Sequence, residues 1–327
     1  MNSANITRQT HSRGFGVTVA MIAVALACVY YFSGKTEPYP DAEGLGLPSA
    51  DEWFAGLPLL GFLLSLAANG VTVVIMLLFN KVFNVFRSMT SLFIAFYAVM
   101  QLATPDLLTQ FYTGTMLSVV APLCMLLLFS CYRQPEATRR IFLISFLLSA
   151  FTSTQYCYAF YFPAFLLGCG QMAVFNRRTM CAALMGALTP WILFIGFGVI
   201  DPSGLHSPGM SFIFSEIDVE GAMLFALSLV VTTVLLLLSY TLNVIRTIAY
   251  NARARAVNGV FTVVSLVTLL AMCVDYRNII SYVPMLNFCA AIELTHYFST
   301  HRANKSYVVI LSILAVYLLI YICQTVI

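Results

Sequence analysis

Gly221-Ala-Met-Leu-Phe-Ala-Leu-Ser-Leu-Val-Val-Thr-Thr-Val-Leu-Leu-Leu-Leu-Ser-Tyr-Thr-Leu-Asn-Val-Ile245 contains no charged side chain. An apolar run of about 20 residues, wound as a helix, crosses the roughly 30 Å hydrocarbon core of a bilayer. Runs of this kind recur from one end of the 327-residue chain to the other. The composition agrees, with 61% hydrophobic and 9% charged residues and a mean hydropathy of +0.91. Soluble domains carry roughly 45–50% apolar and about 25% charged residues. No stretch is polar enough for a separate soluble domain. The expectation is an all-α, polytopic helical membrane protein that forms one integral membrane domain over 1–327.

Eleven spans are expected, at roughly 14–32, 56–79, 89–104, 113–131, 141–155, 157–175, 179–199, 221–245, 256–274, 279–298 and 306–326. The fifth and sixth are short and joined by Ser153-Thr-Gln-Tyr156, so a hairpin that stops part-way across is the alternative there. Charge gives this division an orientation, because Lys and Arg concentrate in cytoplasmic loops. With the N-terminus inside, 14 of the 16 basic residues fall in cytoplasmic segments, leaving Lys35 and Arg277 outside. Of the 13 acidic residues 11 fall outside, Asp106 and Asp275 among them. The expected topology is therefore N-terminus cytoplasmic and C-terminus periplasmic. The first run follows Arg8 and Arg13 as a signal peptide would, but its apolar core is long for one, and it is expected to be retained.

Nine cysteines include no CxxC pair and sit almost entirely inside apolar runs, where they read as small buried hydrophobes. Neither a disulfide framework nor a thiolate metal site is expected.

Chemistry is sought first in the two longer outer loops, 33–55 and 200–220. Asp41, Glu43, Asp51 and Glu52 in the first are candidate catalytic bases, or ligands of a divalent cation shared with the second. The plainer account is that these are solvated loops. The dense group Tyr156, Tyr158 and Tyr161 reads as an aromatic belt at the outer interface, or as a cleft that stacks sugar rings or wraps a lipid headgroup. Pro122, Pro163, Pro190 and Pro284 interrupt four spans, and each is ordinary in a membrane helix.

Within the hydrocarbon, polar residues are costly and therefore informative. Glu293 and His296 lie three residues apart, on one face of a helix. Glu-x-x-His is the spacing of di-metal helix bundles, but such a site needs further carboxylates and a second copy of the motif, which the chain lacks. No metal and no cofactor are expected. Glu293 reads as a carboxylate paired with a cytoplasmic-side arginine, or as a proton-handling group in a substrate path, with His296 as its titratable neighbour.

Two segments carry a resemblance. Ala159-Phe-Tyr-Phe-Pro-Ala-Phe-Leu-Leu-Gly-Cys-Gly-Gln-Met-Ala-Val-Phe-Asn-Arg-Arg178, leading to Ala187-Leu-Thr-Pro190, resembles an uncharacterised family of multi-spanning inner-membrane proteins from Bacteroidetes. Ile280-Ser-Tyr-Val-Pro284 followed by Ile292-Glu-Leu-Thr-His-Tyr-Phe298 is similar to that family's later proline-bearing helix. The resemblance implies an inner-membrane location and no established activity, so no functional residue is carried over from it. Some members bear a carotene-oxygenase label, which implies a four-histidine iron site. The histidines here, at 11, 206, 296 and 301, are too scattered for that.

Three functions stay open. The first is a cell-envelope protein that moves or presents a lipid-linked or small polar substrate, with Glu293, His296 and the three tyrosines as binding residues. The second is a membrane glycosyltransferase using polyprenyl-phosphate sugars, which would place its base in the first outer loop. The third is a structural subunit of an envelope complex. Expected partners are the lipid bilayer, a lipid-linked saccharide or other envelope proteins, and no nucleic acid. A cavity around Glu293 would favour the first function, and a two-carboxylate cavity beneath the outer loops the second.

Overall fold

The computed structural model describes residues 12–36, 45–50, 52–54, 56–85, 89–134, 137–205, 223–247, 251–300 and 306–326. Among these residues there is no strand. The helices are α1 (Arg13–Phe32), α2 (Pro58–Phe83), α3 (Thr90–Leu102), the single turn α4 (Pro105–Leu108), α5 (Thr113–Phe129), α6 (Thr138–Thr152), α7 (Tyr161–Gln171), α8 (Arg177–Gly196), α9 (Met223–Thr247), α10 (Ala252–Val274), α11 (Ile279–Thr300) and α12 (Ser306–Val326). A helix occupies each of the eleven expected intervals. Six of them (α1, α2, α8, α9, α10 and α12) are long and apolar enough to cross a membrane.

The helices that fall outside this group are informative. With 15 and 11 residues, α6 and α7 rise only about 22 and 16 Å, short of the hydrocarbon thickness. A 3-10 turn at Tyr156–Phe160 joins α7 to the segment after α6. α11 is long enough to span but has more polar residues. It is enclosed by α3, α5, α9 and α10, and every residue from Ser281 to Leu294 is buried. A helix that meets protein on all sides can carry Asn287, Glu293 and His296 where a lipid-facing one would lose too much solvation.

Large apolar side chains point outward on the outer helices: Leu63 and Val74 of α2, Leu184 and Ile192 of α8, Val230 and Leu238 of α9, Leu319 of α12. Such a surface suits lipid, and in water it would be a large exposed apolar patch.

Hydrogen bonds sort the loops between two ends of the bundle. At one end the Tyr30 hydroxyl donates to Asp106 at 2.7 Å and Lys35 Nζ donates to the Thr325 carbonyl at 2.6 Å. There too, the Gly46 and Leu47 amides donate to the Ser153 carbonyl at 3.2 and 3.0 Å. This end holds Glu52, Asp106, Asp201 and Asp275 and is called the acidic end below. At the other, basic end, the Arg133 amide donates to the Met172 carbonyl at 3.0 Å, and Arg140 Nη1 donates to the Ser130 carbonyl at 2.6 Å. There α8 begins with a reciprocal cap. The Thr179 amide donates to Asn176 Oδ1 at 2.9 Å, and the Asn176 amide donates to the Thr179 hydroxyl at 3.0 Å.

Candidate functional site: a buried carboxylate beneath a vestibule at the basic end

Three helix ends meet at the basic end. α2 stops at Asn84, whose left-handed φ of 51° closes the last turn and whose amide donates to the Asn80 carbonyl at 2.9 Å. α10 starts beside it, and α11 finishes beside both. The gap between them is a vestibule of about 360 Å³, lined by Phe83, Asn84, Asn251, Arg253, Asn258, His296 and their neighbours. Among the described residues its wall mixes amides, hydroxyls and the Arg253 guanidinium with an aromatic ring. The Arg253 guanidinium lies 5.2 Å from the centre of the Phe83 ring, a cation–π distance.

The vestibule's inner wall is the cluster expected at Glu293. His296 and Asn258 border both the vestibule and a deeper void of about 10 Å³, roughly the space of one water, which Asn243 and Glu293 line. Asn243 Nδ2 donates to Glu293 Oε2 at 2.7 Å and to the Glu293 backbone carbonyl at 2.9 Å. Asn258 Nδ2 lies 3.4 Å from His296 Nε2. Glu293 is 5% and His296 7% exposed. Among the described side chains the donor to the carboxylate is thus a neutral amide from α9. The side chains of Arg246, one turn further along α9, and of Arg302 lie outside the described residues, so the expected arginine pairing is not decided by them.

Asn243 and Asn258 were not among the residues singled out from the sequence. The signal was present, because Asn243 interrupts the long apolar run of α9. An amide there is unremarkable until the fold sets it opposite a carboxylate.

The acidic end contains a second buried carboxylate, expected only as a loop residue. Asp275 is fully buried. Its Oδ2 accepts from the Tyr156 hydroxyl at 2.8 Å and from the Tyr282 hydroxyl at 3.1 Å, and its Oδ1 accepts from Asn278 Nδ2 at 2.7 Å. Asn278 also donates to the Tyr156 hydroxyl. The three expected tyrosines are inside the protein, each 4% exposed or less, with their hydroxyls engaged. Tyr158 donates to the Thr113 carbonyl at 3.3 Å, and Tyr161 shares a 3.0 Å hydrogen bond with Thr268 Oγ1. Rings so placed offer no open face for a sugar to stack on.

Asp41, Glu43 and Asp51, and with them His206, lie outside the described residues. Glu52 is exposed in a single 3-10 turn (Glu52–Phe54). None of the nine cysteines is in a disulfide.

No family model, no curated protein and no solved structure matches the chain.

Proposed function

We propose that this membrane protein moves or presents a small polar or lipid-linked substrate that binds in the vestibule at the basic end. The observation that carries this reading is the continuity between the vestibule and Glu293. A cavity of about 360 Å³ falls within the ordinary range of small-ligand sites, and its polar wall leads to a buried ionisable group. Arg253 and the amides of Asn84, Asn251 and Asn258 are donors suited to an anionic group such as a phosphate. The aromatic face of Phe83 suits an apolar or ring-bearing portion beside it. By the positive-inside rule the vestibule opens to the cytoplasm, in an inner membrane. The resemblance to multi-spanning inner-membrane proteins of Bacteroidetes points to the same location.

The test is a strain lacking the protein, with its lipid extract profiled for accumulated lipid-linked intermediates. The expected result is accumulation that wild type reverses and that Arg253→Ala and Glu293→Gln, present at normal membrane abundance, do not. An unaltered profile in the deletion strain would overturn the proposal. Reversal by both variants would remove the vestibule as the site. Accumulation reversed by every vestibule variant but not by changes in the first outer loop would favour the glycosyltransferase reading.

A further inference from the structure

A second opening lies in the wall that faces lipid. α1 packs along α3 and α2 packs on α5, so α1 and α2 flank a gap in front of α3. In that gap is a groove of about 200 Å³, lined by Ala23 and Val24 of α1, Asn69 and Gly70 of α2, and Tyr97 and Gln101 of α3. Small residues leave it open, and a Cβ at Gly70 would meet nothing within 4 Å. Toward the acidic end the two flanking helices are joined by the stacked rings of Tyr31 and Phe62, whose centres are 4.5 Å apart. Val24 and Gly70 are exposed, on two helices long and apolar enough to cross a membrane. The way in is therefore from lipid.

The wall is almost wholly apolar, and its few polar groups can be followed one by one. The Tyr97 hydroxyl donates to Asn69 Oδ1 at 2.8 Å, and Asn69 Nδ2 donates to the Ser65 carbonyl at 2.9 Å. Gln101 Oε1 accepts from Asn287 Nδ2 of α11 at 3.4 Å. Gln101 Nε2 is left over. It is buried without a hydrogen-bond partner among the described residues, on a side chain only 4% exposed. An amide N–H held away from both water and an acceptor is costly, and most of all in hydrocarbon.

That donor discriminates among the molecules a bilayer can supply. Water needs two or more polar partners to stay in such a site, and the rim offers it hydrocarbon. Leu66 and Val73, which bound the groove on α2, lie about 12 and 22 Å from the start of a helix that rises about 39 Å. The groove is therefore near the middle of the bilayer, well below the headgroups and the ester carbonyls beside them. A plain acyl chain at this depth has no atom to offer Nε2. We propose that the groove binds a membrane-dissolved molecule with a carbonyl inside its apolar body, a ketone or quinone, and that Gln101 Nε2 donates to that oxygen. The terminal torsion of a glutamine is broad, which lets the amide turn its nitrogen toward an acceptor in the groove. The rest of the ligand lies against apolar side chains of α1 and α2, the usual division between an apolar wall and a few placed polar groups.

This site is separate from the vestibule. The two share no lining residue, and one opens to lipid while the other opens at the basic end. The groove's floor nonetheless touches the helix that carries Glu293, through the hydrogen bond between Gln101 and Asn287. The proposal stands independently of the vestibule reading.

The experiment measures the thermal midpoint of the full chain in detergent with two probes of matched length, dipentyl ketone and undecane. The ketone is expected to raise the wild-type midpoint by several degrees, clearly more than undecane does. Gln101→Leu should make the two probes equal in effect, whatever its own midpoint. Gly70→Leu, which adds a side chain where the groove has space, should remove the shift by the ketone. Each variant is checked for a single symmetric peak by size exclusion. If Gln101→Leu fails that check, Gln101→Met and Gly70→Leu decide. Equal shifts by both probes in wild type would make the groove a seat for acyl chains only and overturn the proposal. A ketone preference undiminished by Gln101→Leu overturns it too. So does the absence of any shift, and a dimer that Gly70→Leu dissociates would then identify the groove as a contact between two copies. None of these outcomes bears on the vestibule, which is judged from accumulated lipids.

Discussion

A single hydrogen bond shows how strongly Glu293 depends on the fold around it. The carboxylate is buried, and Asn243 Nδ2 at 2.7 Å is its donor from α9. Removing one partner of a buried polar pair costs about 1–3 kcal/mol, more when the stranded group is charged, whereas removing both is nearly neutral. Asn243→Leu is therefore expected to lower the thermal midpoint of the purified protein clearly. In a Glu293→Gln background the same change should cost much less, because an amide strands less charge than a carboxylate. Equal losses in both backgrounds would mean that the bond contributes no coupling. The Glu-x-x-His spacing announced this carboxylate in the sequence. Its donor was hidden because Asn243 is 50 residues away, and only packing of α9 on α11 brings the two together.

For the helices themselves, closeness of approach is what the sequence leaves unstated. α6 and α8 pack along each other, and Gly186 sits at a close approach between them. A Cβ at Gly186 would fall 2.4 Å from the Phe142 carbonyl oxygen, so the helices would have to separate. At Gly170, on α7, a Cβ would meet nothing within 4 Å. Ala is favoured over Gly within a helix by about 1 kcal/mol at either position. Gly170→Ala is thus expected to hold or raise the midpoint, and Gly186→Ala to lower it, since overpacking costs about 1–3 kcal/mol. Scanning calorimetry in detergent would compare them, and matching behaviour would show that the α6–α8 crossing tolerates a methyl group. Close packing in a membrane depends on such small residues, because lipid supplies no hydrophobic force to drive helices together.

At the scale of the whole molecule, lipid outside and polar groups inside reverse the pattern of a soluble domain. α1, α2, α8, α9 and α12 turn leucine, isoleucine and valine outward, while α11 keeps glutamate, histidine and asparagine inside. The segregation of charge between the two ends predicts the orientation. Cysteines placed at Lys35, Glu52 and Arg277, in a background without native cysteines, are expected to react with an impermeant thiol reagent added outside intact cells. Cysteines at Arg139, Arg177 and Arg253 should react only after lysis. Uniform reversal would invert the orientation, and a mixed pattern within either set would break the two-ended arrangement itself.

Much of this architecture is local and could be read directly. Hydrophobic length and the near absence of charge require lipid-spanning helices whatever their neighbours, because a bilayer leaves the backbone no other partner but itself. The alternation of basic and acidic loops is likewise a property of the linear chain. The pairing of loop ends, the enclosure of α11 and the distances between Asn243 and Glu293 or between Tyr156 and Asp275 are not. Asp275 looked like a loop carboxylate because sequence shows only that it follows an apolar run. It is buried because Tyr156, 119 positions earlier, returns to the same end of the bundle through the short α6–α7 hairpin. The polar residues of α11 were already written in the chain. Only tertiary packing, by closing α3, α5, α9 and α10 around that helix, put Asn287, Glu293 and His296 inside the protein and away from lipid.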